Sequence, residues 1–172
     1  YTQMRKGIPW MVKERGAKKF CVIYQDDDFG TEVLKGAEDG LKDINMTFAE
    51  KTSFKRGATD FSAQVSKMKA ADCDTVVLGT IIRETIGTIG TARKMGWNPN
   101  FVGSSAAYTD LIHKLGGKAM DGLYAFHQVT VPYADDSSKN VRDWFASYKA
   151  KFKEDPGLFS AYGYVAMDMF VQ

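Results

Sequence analysis

The chain has 172 residues, enough for one ordinary hydrophobic core and too few for two generous ones. Its 44% hydrophobic, 13% aromatic and 26% charged residues exclude a disordered chain and indicate a globular one. The net charge of +2 and the mixing of lysines with acids, as where Lys149, Lys151 and Lys153 precede Glu154 and Asp155, provide no basic stripe for nucleic acid; no apolar run approaches the ~18–20 residues that insertion across a bilayer needs.

The chain opens at Tyr1 with no initiator methionine or leader, which reads as a mature segment or a fragment, so no compartment is read from a leader. Met4, Ile8, Met11 and Val12 share one helical face, which Gly16 closes; Pro9 marks either the helix's first turn or a kink. Residues 20–24 read as a strand buried on both faces. They lead through a loop at 25–30 into a helix carrying Val33, Leu34, Ala37 and Leu41. Residues 46–54 alternate as a second strand, 55–58 form a loop, and Thr59 or Asp60 caps a helix bearing Phe61, Val65 and Met68. A third strand at 75–78 is followed by a turn rich in glycine and threonine and a helix ending near Met95-Gly96. A fourth strand at 100–103, a short helix at 111–115 and a fifth strand at 122–126 continue the alternation.

Short apolar strands separated by amphipathic helices indicate an α/β fold, a doubly wound parallel sheet covered on both faces. Ligands of such folds gather at the carboxyl ends of the strands, which directs attention to the loops at 25–30, 79–85 and 103–108 and to the exit after Phe126. The pattern changes after residue 129. A polar loop at 133–138 precedes two helices, one with Val141, Trp144, Phe145, Tyr148 and Phe152, the other with Tyr162, Val165, Met169 and Phe170. Their large apolar faces must bury against something, and that something is expected to lie outside this chain. Cys21 and Cys73 have no metal-ligand spacing. Their place near two strand starts suggests buried structural thiols, with a bridge as the alternative.

No coherent catalytic set emerges. Asp26-Asp27-Asp28 after the first strand could hold magnesium in a phosphoacceptor site, but Leu78-Gly79-Thr80 offers no further carboxylate, and a turn that caps the next helix accounts for the triad. Gly87 and Gly90 fall within a helix, where they serve close packing rather than a dinucleotide fingerprint. His113 and His127 are far apart with no cysteine nearby, so no zinc site is expected. His113 reads as a helix-surface residue. His127, just past the fifth strand, either meets an anionic group or is hydrogen-bonded within the protein. Ser104-Ser105 lacks the G-x-S-x-G surroundings of a nucleophile elbow.

Several phrases, taken in order, resemble the branched-chain amino acid receptor (Leu/Ile/Val-binding protein-like) family of type I periplasmic binding proteins. They are Arg15-Gly-Ala-Lys-Lys-Phe-Cys-Val-Ile-Tyr-Gln-Asp-Asp-Asp-Phe-Gly30, Gly57-Ala-Thr-Asp-Phe-Ser62, Ala70-Ala-Asp-Cys-Asp-Thr-Val-Val77, Ala92-Arg-Lys-Met-Gly-Trp97, Gly122-Leu-Tyr124 and Ser160-Ala-Tyr-Gly-Tyr164. The resemblance implies two α/β lobes joined by three crossovers. Residues 1–128 would be most of the second ligand-binding lobe, and 129–172 a crossover and two helices returning to an absent first lobe.

It also implies site residues. Phe29 stands where the family has a ligand-contacting tyrosine, Thr80-Ile81-Ile82-Arg83 where it has an aromatic contact, and Ser105 where a glutamate pairs with the ligand's ammonium group. Phe159 resembles an apolar contact that comes from the other lobe. A buried ammonium without its carboxylate is costly, so the implied ligand is a carboxylate lacking an α-amine, aromatic or otherwise hydrophobic. Ser104 and Ser105 would donate to it and Phe29 would pack on it; Thr80 and Ile81 would line the loop. Arg83 would either turn inward or remain a solvated first-turn residue.

The implied function is a periplasmic solute-binding protein of an ABC importer, not an enzyme. Its partners would be a small molecule and a membrane permease, with no nucleic acid, no membrane insertion of its own and no cofactor. The alternatives are a ligand-sensing ectodomain and a magnesium-dependent phosphoacceptor or nucleotide-using α/β domain.

Overall fold

Apolar side chains that alternate between two faces make residues 20–25, 75–79 and 100–103 the buried strands of a sheet. The computed structural model describes residues 1–171. Its elements are α1 (Thr2–Arg15), β1 (Phe20–Gln25), α2 (Asp28–Lys42), β2 (Phe48–Phe54), α3 (Ser62–Ala70), β3 (Thr75–Gly79), α4 (Ile82–Lys94), β4 (Asn100–Gly103), α5 (Asp110–Gly116), β5 (Leu123–Ala125), α6 (Lys139–Phe152) and α7 (Leu158–Val171). Two 3-10 turns flank α5, at Ser105–Ala107 and Gly117–Met120. The chain divides into two compact units, Tyr1–His127 and the part from Gln128 onward.

The first unit is a doubly wound parallel sheet of five strands in the order β2-β1-β3-β4-β5, with every pairing parallel. Side-chain alternation divides its core into two layers. Phe20, Val22, Val77 and Val102 pack against Met4, Ile8 and Met11 of α1 and Val33, Ala37 and Leu41 of α2. Ile23, Val76, Leu78 and Phe101 point the other way, toward Val65 and Met68 of α3, Ile89 and Ala92 of α4 and Ile112 of α5. Register keeps each layer continuous: Val22 stands opposite Val77, and Val77 opposite Val102. Burial on both faces explains why β3, Thr-Val-Val-Leu-Gly, has no exposed residue.

Of the two settings open to Pro9, the structure has it inside α1, which starts at Thr2 and is ended by Gly16 at φ 66°. Three other local readings needed correction. The cap position of α3 is Phe61, without a side-chain cap bond; Asp60 instead accepts from the Ser62 N–H at 2.9 Å. Gly87 does serve close packing, since a Cβ there would lie 2.6 Å from the Phe61 ring, but Gly90 has open space around it. Cys21 and Cys73 are not free thiols: they form a disulfide with Cα atoms 5.9 Å apart. Both are buried, and the pairing of β1 with β3 brings them together, which a 52-residue separation conceals in sequence.

In the second unit no strand occurs among the described residues. Its aromatic side chains cluster between and along its helices, with ring centroids 5.3 Å apart for Trp144–Tyr164 and 4.5 Å for Tyr148–Phe152. Even so, α6 buries none of its residues, and Phe159 and Phe170 are 71% and 84% exposed.

Crosslinking residues 52 apart removes loop entropy from the unfolded chain worth about 4 kcal/mol in the chain-entropy model. A Cys21→Ala/Cys73→Ala variant is therefore expected to lose stability of that order in equilibrium urea denaturation, and the wild type in reductant is expected to match it.

Candidate functional site

The strand order reverses between β1 and β3: the chain leaves β1 for β2 on one side and returns to β3 on the other. The carboxyl ends of these two strands therefore open a crevice between diverging loops. Gly30 lets α2 begin hard against the end of β1, because a Cβ there would stand 1.9 Å from the Gln25 carbonyl oxygen. Asp27 caps α2 by accepting from the Gly30 N–H at 3.1 Å, and it also receives the Gln25 side-chain amide and, at 3.0 Å, Arg56. The Gly30 N–H is the main cause that holds the Asp27 carboxyl below the usual carboxylate range, with burial opposing and Arg56 and Gln25 assisting. Asp26 pairs with Lys55. Two of the three aspartates thus tie the loop after β1 to the loop after β2. Phe29 is half-buried at the second position of α2 and packs beside the apolar layer shared with α1.

After β3, Thr80 is fully buried and its hydroxyl lies 2.6 Å from that of Thr85, also fully buried. The half-buried Ile81 caps α4 without a side-chain bond. Arg83 is exposed in the first turn of that helix, the solvated of its two expected settings. Glu84 beside it is only 6% exposed, at a helix N-terminus whose dipole favours a carboxylate.

Beyond β4, Ser104 is buried and its hydroxyl accepts from the Ala106 N–H at 3.4 Å, leaving its own O–H to donate. Ser105 is half-buried, and its backbone N–H donates to Oε1 of Gln3 at 3.3 Å. At the far end of this loop the Tyr108 ring stacks on the His127 ring, with centroids 3.7 Å apart and planes 10° from parallel. The His127 Nδ1 is buried and has no protein partner. Phe126 positions His127: its N–H donates to the Gly103 carbonyl at 3.0 Å, and its ring lies where a Cβ on Gly7 of α1 would be, 2.1 Å away.

Phe29, Thr80, Ile81, Arg83, Ser104, Ser105 and His127 thus all lie on loops or first turns at the carboxyl edge of one sheet. Phe159 belongs to the second unit, at the start of α7. Sequence reasoning gave no role to Glu84 or Tyr108, though both fall in the loops at 79–85 and 103–108, and it missed Gln3 altogether. Gln3 in particular has no local signal: its partner is 102 residues away.

A family model described as periplasmic binding protein matches residues 1–172. The chain belongs to the periplasmic binding protein family. Among curated members it is 23% identical over 155 residues to Leu/Ile/Val-binding protein homolog 8 of Brucella abortus (strain 2308), an alignment covering 88% of this chain and 38% of that protein. Homolog 7 of Brucella suis is likewise 23% identical, covering 88% and 39%. Among solved structures, a leucine binding protein, LivK, from Thermotoga maritima superposes with a TM-score of 0.84 at 21% identity, covering 96% of this chain and 47% of that one. A fatty acid ABC transporter substrate-binding protein from Thermomonospora curvata gives 0.76 at 19% identity, covering 90% and 40%. The chain therefore spans less than half the length of these members.

Thr85→Val is expected to cost about 1–3 kcal/mol in chemical denaturation, because it strands the buried Thr80 hydroxyl. The double variant Thr80→Val/Thr85→Val should recover most of that loss. Asp27 titrates with the opposite logic to a buried acid: its folded-state pKa is depressed, so its ionised form contributes stability that is present above about pH 4 and is lost as pH falls through the folded value. Asp27→Ala should lower the urea midpoint clearly at pH 7 and much less at pH 3, and equal losses at both would contradict the charge-based cap.

Proposed function

We propose that this chain is one wall of the ligand cleft of an extracytoplasmic solute-binding protein of an ABC importer. The solute is a small organic acid, aromatic or hydrophobic, in preference to an α-amino acid. The observation that carries this reading is the loop after β4. Residue 105 is a half-buried serine, the whole stretch Gly103-Ser-Ser-Ala-Ala-Tyr108 contains no carboxylate, and Ser104 keeps an O–H to donate. An ammonium group desolvated there would lack a counter-charge, whereas a carboxylate would meet hydroxyl donors. Phe29 offers an apolar contact at the neighbouring loop, and Thr80, Ile81, Arg83 and His127 complete the edge. The named relatives include both leucine-type and fatty-acid-type binders, so acids without an α-amine fall within the chemistry of the fold's neighbours.

Residues 1–128 serve as the second lobe in this reading. Residues 129–172 are a crossover whose helices bury Phe159, Met169 and Phe170 against a first lobe outside this chain. Their exposure, 71%, 75% and 84%, is what such a missing neighbour would cover. The Cys21–Cys73 disulfide suits an oxidising compartment such as the periplasm. Closure of the two lobes traps the solute, and the closed form engages a membrane permease. No catalytic role is assigned to any of these residues.

The test is thermal-shift screening of the full-length receptor against benzoate, phenylacetate, octanoate, dicarboxylates, leucine and valine. At a hundredfold excess over its dissociation constant a solute stabilises the folded form by about 2.7 kcal/mol. Shifts confined to acids without an α-amine are expected. A shift with leucine or valine alone would overturn the ligand class while leaving a binding role intact.

A further inference from the structure

Gln3 and His127 each hold a buried polar atom without a protein partner, and both flank the loop after β4. The assignment of the Gln3 amide follows from its neighbour. The Ser105 N–H is a donor, so the amide group facing it must be the acceptor Oε1, which leaves Nε2 as the N–H₂. That Nε2 is buried and has no protein acceptor. Gln3 lies one helical turn before Gly7 on the same face of α1, and Gly7 abuts the Phe126 ring. This places Gln3 at the carboxyl edge beside the end of β5, where His127 presents its own unpartnered Nδ1 and stacks on Tyr108.

We infer that Gln3 is a solute-contacting residue whose Nε2 donates to a carboxylate oxygen of the ligand, with His127 Nδ1 flanking the same group. This rests on the acid-binding reading above and extends it to a residue on α1, outside the strand-end loops. The bond from Ser105 to Oε1 holds the amide in one orientation, so the donor is fixed before the solute arrives. A fixed donor favours an oxygen acceptor and disfavours an ammonium group, which has only donors to offer.

Gln3→Glu tests the idea directly, since a carboxylate still accepts from the Ser105 N–H but presents a negative acceptor where the amide presented a donor. Titration of the full-length receptor with benzoate, phenylacetate and octanoate, followed by calorimetry and thermal shift, is expected to show at least one acid bound by the wild type. Its affinity should fall about 10- to 100-fold in Gln3→Glu, with the ligand-free melting temperature nearly unchanged. Gln3→Met, of similar length and without charge, carries the same test should the glutamate variant fold poorly, and is expected to show a loss of similar size. If no acid binds the wild type, the acid-binding reading falls and takes this inference with it. If an acid binds and both variants bind it as tightly as the wild type, the inference alone is overturned.

Discussion

Phe20 stands opposite Thr75, and the match continues without a slip to Tyr24 opposite Gly79. This parallel pairing of β1 with β3 is the constraint on which the remainder of the first unit rests. Both strands are central, so each must present apolar side chains on two faces, and each face then requires its own helical cover. The Cys21–Cys73 bridge ties β1 to the turn that leads into β3, at the amino ends of these strands. Their carboxyl ends, by contrast, are where the chain turns away on opposite sides, and it is there that polar residues become affordable.

The alternation of strands and helices was legible because a buried parallel strand has a composition that few other elements share. The strand at 100–103 and the buried run at 75–78 were read correctly to within a residue. What the sequence concealed was long-range. The helix α1 runs through Pro9 because its Met4, Ile8 and Met11 are fully buried against the sheet, and tertiary packing outweighs the local penalty of proline. The disulfide depended on two segments 52 residues apart becoming neighbours, and spacing alone does not reveal that.

The candidate site was legible in part for the same reason. Strand ends predict loops and direct attention to the carboxyl edge, where His127 lies, whereas Phe29 and Ser105 were singled out by the family resemblance; the structure places all of them, with Ser104, on that edge. The hydroxyl of Thr80 is engaged with Thr85, a pairing that only helix geometry brings about. Gln3 escaped notice because it sits among the apolar positions of α1 and bonds across 102 residues. The triple aspartate, the most conspicuous cluster in the sequence, does structural work instead: Asp27 caps a helix, and Asp26 and Asp27 hold two loops together through Lys55 and Arg56.

The loop after β4 hangs between two tethers, Gln3 at Ser105 and His127 at Tyr108, and neither belongs to the buried apolar layers. On the proposed reading, substitutions at 105 or 127 would alter the solute that is bound while leaving the strand register intact. If the proposed cleft is right, shape and preference would be carried on largely separate residues, and a duplicated gene could change its solute through a handful of changes at one edge of an otherwise constant sheet.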